Sequence, residues 1–303
     1  MKKLVSILGD LPIPTAEVAI IHDYNVMWGY ESLNSEFKLQ GKEINYEANF
    51  CRLHEELYKR NILSEIIPTD RDLSKYKLVI LPSMMMIKED FARKLLEYVE
   101  KGGILFAQGQ MGMRDFNNNY LAIRGPEHLQ DLMGVYINGG MYLNSAIQPD
   151  ENWNEPKLVT LSLGGALGKK QVNGNARTWV GDIELRSGKA ILRFLEDEYE
   201  GQAAIIENKA GRGLSIYSAC ISLDDSLLGE VFNYILCKAG IKYYFGLPEY
   251  VEIVERGDTT FVINHRNEAV NVHMDIEGKI LMGAYEGGTV NLKPYGICII
   301  KKS

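Results

Sequence analysis

Hydrophobic and polar positions follow two regimes along this chain. Up to about residue 245, short continuous apolar runs alternate with segments of helical spacing, and from Tyr250 onward only short strand-like runs remain. Val18-Ala19-Ile20-Ile21 is unbroken by polar residues and stops at His22-Asp23. Such a run predicts a strand buried on both faces of a parallel sheet. Ile44–Arg60 sets Tyr46, Phe50, Leu53 and Leu57 on one helical stripe. Ile62–Pro68 and Lys77–Leu81 read as two β-rich runs divided by a turn-like TDRDLSKY. Lys88–Lys101 reads as an amphipathic helix stopped by Gly102-Gly103, and Ile104–Ala107 as the next strand.

Strands alternating with helices over short connections predict an α/β domain, a flavodoxin-like or class I glutamine-amidotransferase-like parallel sheet. Gln108–Pro126 is a polar, glycine-bearing loop at the carboxyl end of the fourth strand, ahead of a helix at Glu127–Met133. Loops in that position carry function more often than others. Gly139–Asn175 is rich in glycine and asparagine, and part of it is expected to be poorly ordered or to touch another chain. Runs at Trp179–Leu185, Ala190–Leu195, Ala203–Glu207 and Leu214–Tyr217 follow, and a helix at Leu227–Ala239 closes the domain. Beyond Tyr250, VEIVERG, TTFVINH, VNVHMD, KILMGAY, GTVNL and YGICIIKK predict a small antiparallel β domain. The expected division is a linker at 1–15 arriving from an upstream domain, an α/β domain at 16–245 and a β domain at 246–303.

Composition narrows the function. Net charge is −7 and no Lys/Arg stripe is interleaved with aromatics, so nucleic acid is not an expected partner. No window approaches the roughly 18 apolar residues of a membrane span. Leu4–Leu8 is too short for a secretory signal core. Cys51, Cys220, Cys237 and Cys298 are scattered without a CxxC pair and read as buried thiols of a reducing compartment, which places the chain in the cytoplasm. The five histidines show no metal-ligand spacing, and no GxGxxG or GxxxxGK[ST] motif occurs, so neither metal nor cofactor is expected.

Candidate chemistry gathers at strand ends. His22-Asp23 sits where α/β sheets place ligands, although an Asp there also caps turns. An amidotransferase-like elbow would fall at Gln108-Gly109-Gln110, where neither cysteine nor serine is available as the nucleophile. Gly211-Arg212-Gly213 reads as a hairpin turn. Trp28, Trp153 and Trp179 suit sugar stacking, but a core or subunit contact is the commoner role of tryptophan. Asp224-Asp225 and Asp197-Glu198 are adjacent in sequence, whereas retaining glycosidases hold two carboxyls about 5–5.5 Å apart from different elements. Helix-leading or solvated roles suit them better. Asp23, Trp28, Gln108 and Arg114 are the candidate binding or interface residues, with no catalytic residue assigned.

Four blocks carry a resemblance: AEVAIIHDYNVMW, LSKYKLVILPSMMMI with GGILF, GQAAIIENKAGRGLSIYSACISLDD, and VEIVERGDTTFVINHRNEAVNV. In this order they resemble the middle and C-terminal domains of glycoside hydrolase family 42, the β-galactosidases, from about Ala16 onward. The resemblance implies an amidotransferase-like domain that mediates homotrimer formation, followed by a small antiparallel β domain. It also implies that retaining hydrolysis of terminal β-galactosides belongs to an N-terminal barrel bearing two glutamates. A (β/α)₈ barrel takes about 200 residues or more, so that barrel and its substrate site are expected to lie outside this sequence. Asp23 and Trp28 would then lie in the first strand-end loop of the middle domain, facing a barrel or a neighbouring subunit. The alternative is a stand-alone amidotransferase-like protein that binds a sugar or metabolite without catalysis.

Overall fold

The computed structural model describes residues 9, 11–37, 46–143, 160–244, 246–274 and 276–303. Trp153 and the middle of the Gly139–Asn175 segment lie outside them. The chain divides into two compact units, one of Glu17–Glu56 with Ser64–Lys242, the other built on Tyr243–Ser303 with Leu57–Leu63 and the described residues up to Ala16.

The first unit centres on five parallel strands: β1 (Val18–Ile21), β2 (Ser64–Ile67), β3 (Leu78–Pro82), β4 (Ile104–Gln108) and β10 (Gly213–Ser218). Their spatial order is β2-β1-β3-β4-β10, and each neighbouring pair is parallel. This is the flavodoxin-like order. Every residue of β1, β3, β4 and β10 is buried, which accounts for the unbroken apolar runs of β1, β3 and Ile104–Ala107, while β10 also buries Ser215 and Ser218. The sheet then continues antiparallel through β9 (Ala203–Ala210), β8 (Lys189–Phe194), β6 (Leu161–Leu167) and the long β7 (Lys170–Leu185), which also pairs β5 (Val135–Tyr142) and β11 (Cys220–Leu223). The sheet is thus mixed, with a parallel core. Gly211, at φ +57, turns the β9–β10 hairpin as its neighbours predict.

The helices are α1 (Tyr24–Phe37), α2 (Tyr46–Tyr58), α3 (Glu89–Glu100), the single turn α4 (Gln130–Met133) and α5 (Asp225–Lys238). The predicted stripe Tyr46, Phe50, Leu53 and Leu57 is buried on α2. The α3 boundaries fall one residue inside the predicted Lys88–Lys101, because Lys88 and Lys101 are its caps. Two expectations need correction. Trp28 lies on α1, not in a loop. Cys51 and Cys237 are exposed on the outer faces of α2 and α5, and only Cys220 and Cys298 are buried. Within the glycine-rich stretch, β5, β6 and β7 occupy the described parts.

The second unit contains the small antiparallel β domain. β12 (Val251–Arg256), β13 (Thr259–Asn264), β18 (Ile297–Lys302) and β15 (Gly278–Met282) form one sheet. β14 (Val270–His273), β17 (Thr289–Leu292) and β16 (Ala284–Glu286) form the other. Alternate residues from both sheets, among them Ile253, Val262, Val272, Val290, Cys298 and Ile300, share one apolar core, the alternation expected of two packed sheets.

Candidate functional site

Open α/β sheets bind ligands beyond the carboxyl ends of their strands, where the strand order reverses. In this chain that end of the sheet is formed by the carboxyl ends of β1, β3, β4 and β10. The turn after β4 has the backbone of an elbow but no room for a nucleophile. Gly109 adopts φ +67, its N–H donates to Ser218 O at 2.9 Å, and its carbonyl accepts from the Tyr217 hydroxyl at 2.8 Å. A Cβ at Gly109 would lie 2.4 Å from Ile221 Cγ1 and 2.8 Å from Ser83 Oγ. Ser83, at the end of β3, is itself buried at φ +44 and shares a 2.6 Å hydrogen bond with the Tyr30 hydroxyl. Burial holds the Tyr30 phenol well above its ordinary pKa, so it remains protonated and offers Ser83 no base.

The four candidate residues meet different fates. Asp23 caps the start of α1, with Oδ1 accepting from the Asn25 backbone N–H at 2.8 Å and its side-chain amide at 2.9 Å. Gln108 is buried and ties α2 to β11, donating to Asn49 Oδ1 at 2.8 Å and to Ile221 O at 3.0 Å. Arg114 is buried, stacked 3.7 Å from the Tyr120 ring centroid, and donates to Asn118 O at 2.5 Å. Trp28 remains 57% exposed. A short relay links the last two, because Asn118 Nδ2 donates to Gly29 O at 3.1 Å, next to Trp28 on α1. Gln108 and the other three are not gathered into one cleft.

The remaining sequence candidates resolve simply. Trp179 is buried in β7 against the Gly140 backbone, so neither indole face is open to a sugar. Asp224 caps α5, accepting from Leu227 N at 2.9 Å, while Asp225 pairs with Arg52 at 2.6 Å. Asp197 and Glu198 lie exposed in a 3-10 turn.

Residues that the sequence did not single out complete the outer surface. Tyr24 is exposed and packs 5.8 Å from Trp28, ring to ring. Phe116, Tyr120 and Ile123 are exposed on the 109–126 loop. Between that loop and β5 lies a cleft of about 300 Å³, lined by Met113, Tyr120, Ile123, Asn138, Gly140 and Trp179 among others. Aromatic enrichment at YNVMWGY was the available signal, and only the helical register separates buried Val26 and Tyr30 from exposed Tyr24 and Trp28.

An α/β domain of amidotransferase-like order, its elbow closed, joined to an antiparallel β domain is the class of protein defined by these features. Residues 16–242 match the family described as the β-galactosidase trimerisation domain, and residues 250–302 the β-galactosidase C-terminal domain. The chain belongs to the β-galactosidases of glycoside hydrolase family 42, through these two domains. It is 27% identical over 305 residues to β-galactosidase BgaP of Planococcus sp. (strain L4), covering 97% of this chain and 43% of that one. Identity to β-galactosidase bgaB of Geobacillus kaustophilus is 26% over 311 residues, covering 100% and 43%. Among solved structures, the fold matches a β-galactosidase from Bacillus circulans sp. alkalophilus with a TM-score of 0.82 at 23% identity, over 100% of this chain and 43% of that chain. The β-galactosidase from the haloarchaeon Halorubrum lacusprofundi gives 0.79 at 22%, over 99% and 41%. The chain thus spans about two-fifths of the length of the relatives it matches.

Proposed function

We propose that this chain is the self-association and C-terminal portion of a cytoplasmic β-galactosidase, that it assembles as a homotrimer, and that its own residues carry assembly and not hydrolysis. Residues 16–245 act as the association module, 246–303 as an accessory β domain, and 1–15 as the linker into them. Retaining hydrolysis of terminal β-galactosides would then be performed by a separate barrel domain, the only route by which a galactoside engages this protein. The observation that carries the reading is the carboxyl-end surface. Its elbow is filled by Ile221, while Tyr24, Trp28, Phe116 and Tyr120 are left facing outward. Exposed aromatics rimmed by polar residues are what subunit interfaces bury. Free thiols at Cys51 and Cys237, open to solvent, suit a reducing compartment.

Sedimentation velocity tests the reading, with three times the 34.2 kDa chain mass expected. A monomer at micromolar concentration would overturn the assembly role. Turnover of a nitrophenyl β-galactoside by this chain would overturn the non-catalytic assignment.

A further inference from the structure

Beneath the exposed aromatics lies a buried polar cluster that neither assembly nor folding accounts for. Arg114 is only 6% exposed and Gln110 only 1%. Arg114 uses Nη1 on Asn118 O and rests its plane on Tyr120, yet its Nε has no hydrogen-bond partner. Among the described residues it makes no ion pair. The Asp115 carboxylate next to it is exposed and turned to its own loop, accepting from the backbone N–H groups of Asn117 and Asn119 at 2.9 Å and from the Asn119 side chain. Gln110 donates through Nε2 to the Tyr142 hydroxyl at 2.9 Å and leaves its other amide atom, Oε1, unpaired. Turning that amide over lets Oε1 accept from Tyr142 and aims the NH₂ group at the unpaired position.

A guanidinium removed from water without a carboxylate is costly, and stacking on one ring offsets only part of that cost. Buried polar atoms without partners point to an ion, a water or a ligand. The guanidinium edge that carries Nε is the edge that forks onto a carboxylate. Tyr142 and Tyr30 stand close enough to feel the Arg114 charge, and burial pushes the Tyr142 phenol up to about 12, so both stay neutral and repel no anion. Gln110 and Arg114 follow the carboxyl end of β4, the end of an α/β sheet at which ligands are held.

We propose that Arg114 and Gln110 form a binding site for a small monocarboxylate, with the guanidinium fork on the carboxylate oxygens, the Gln110 amide as a further donor and Tyr120 as the cover. The site lies beneath the association surface and shares Tyr120 with it, and it is tested separately from the trimer.

Acetate and its uncharged isostere acetamide are the probes, titrated into the full chain by calorimetry with ionic strength held constant. Acetate should bind saturably and at least tenfold more tightly than acetamide. Arg114→Lys, which keeps the charge and loses the fork, should weaken acetate at least tenfold, and Gln110→Ala severalfold. Absence of saturable acetate binding to the wild-type chain, or equal binding of the two probes, overturns the proposal without any variant having to fold. Acetate affinity unchanged in a folded Arg114→Lys protein also overturns it. Mass measured on the same samples keeps the two readings apart: a trimer that ignores acetate sinks only the carboxylate site, and a monomer that binds it sinks only the assembly role.

Discussion

Ile221 occupies the space that any side chain at Gly109 would need, its Cγ1 lying 2.4 Å from the position of a Gly109 Cβ. Positive φ at Gly109 adds about 1–2 kcal/mol against any other residue, and overpacking adds about 1–3 kcal/mol. Gly109→Ala should therefore destabilise the α/β unit by about 2–5 kcal/mol in urea unfolding. Ile221→Ala in the same background should recover part of the loss, a coupling beyond about 0.5 kcal/mol between touching residues. Strict additivity of the two substitutions would show that the elbow is not closed by Ile221.

Asp224 joins a helix to a strand with one carboxylate. Oδ1 caps α5 through Leu227 N, and Oδ2 accepts from the backbone N–H of Asn175 on β7. Asp224→Ala should cost about 1–2 kcal/mol through the lost cap. Asp224→Asn keeps an acceptor for the cap and should lose less. Equal losses in the two variants, measured by chemical denaturation, would mean that the cap geometry is not what stabilises α5.

The parallel core was legible because burial on both faces demands apolar residues in β1, β3 and most of β4, and because α3 carries its apolar stripe and the Gly102-Gly103 stop openly. Helix α1 was not legible. Its aromatics are weak helix formers, and Gly29 stands mid-helix, where a Cβ would come within 2.6 Å of the Met85 and Met86 side chains. Strands β5 and β6 and the first half of β7 were hidden by their glycines, which are set by tertiary contacts: Gly140 gives way to the Trp179 indole, and Gly165, at φ +153, approaches the Ile191 carbonyl. Of the candidate residues, sequence placed Asp23, Gln108 and Arg114 at the correct end of the sheet. It could not tell a capping carboxylate or a buried tie from a cleft residue, because that depends on partners such as Asn49 and Asn118, distant in sequence from the strand ends or inside the loop.

Glu65 on edge strand β2 accepts from the Tyr76 hydroxyl at 2.6 Å and from Lys75 at 2.9 Å. The Tyr76 hydrogen bond first, and the Lys75 bond next, hold the Glu65 carboxyl below its ordinary 4.5. A folded-state pKa below the unfolded value stabilises the fold above the unfolded value, and that contribution is lost as pH falls through the folded one. Stability should thus drop as pH falls below about 4.5, and Glu65→Gln should flatten this part of the profile. Identical slopes for both proteins in urea midpoints between neutral pH and pH 3 would remove Glu65 from the acid response.

Arg256, at the end of β12, holds the chain ahead of the α/β unit. Its Nε donates to Pro12 O at 2.9 Å and its Nη2 to Leu11 O at 2.7 Å. The turn residue Gly257, at φ +61, brings its backbone against the Pro12 ring. Both carbonyls lose their partner in Arg256→Ala, and Arg256→Lys can restore one bond at most. Hydrogen exchange at residues 11–16 should rise in the order wild type, Lys, Ala, with the β13 and β18 amides unchanged. Exchange at 11–16 that is equal in all three would mean that the β domain does not anchor this segment.

Trp28 offers the sharpest test of assembly, because a side chain 57% exposed in one copy contributes little to folding of that copy. A cyclic trimer has heterologous interfaces, so the Trp28 surface of one subunit meets a different surface of the next, and the contact recurs three times around the ring. Buried tryptophans at such contacts are worth about 2 kcal/mol or more each, which corresponds to a roughly 30-fold weaker interface. Trp28→Ala should therefore shift the chain towards monomer on dilution, with thermal unfolding of the monomer unchanged. Tyr24, ring to ring with Trp28, should show a smaller effect in the same direction. Wild-type association in the Trp28 variant would remove this residue from the interface, and a destabilised monomer would assign it to α1 packing instead.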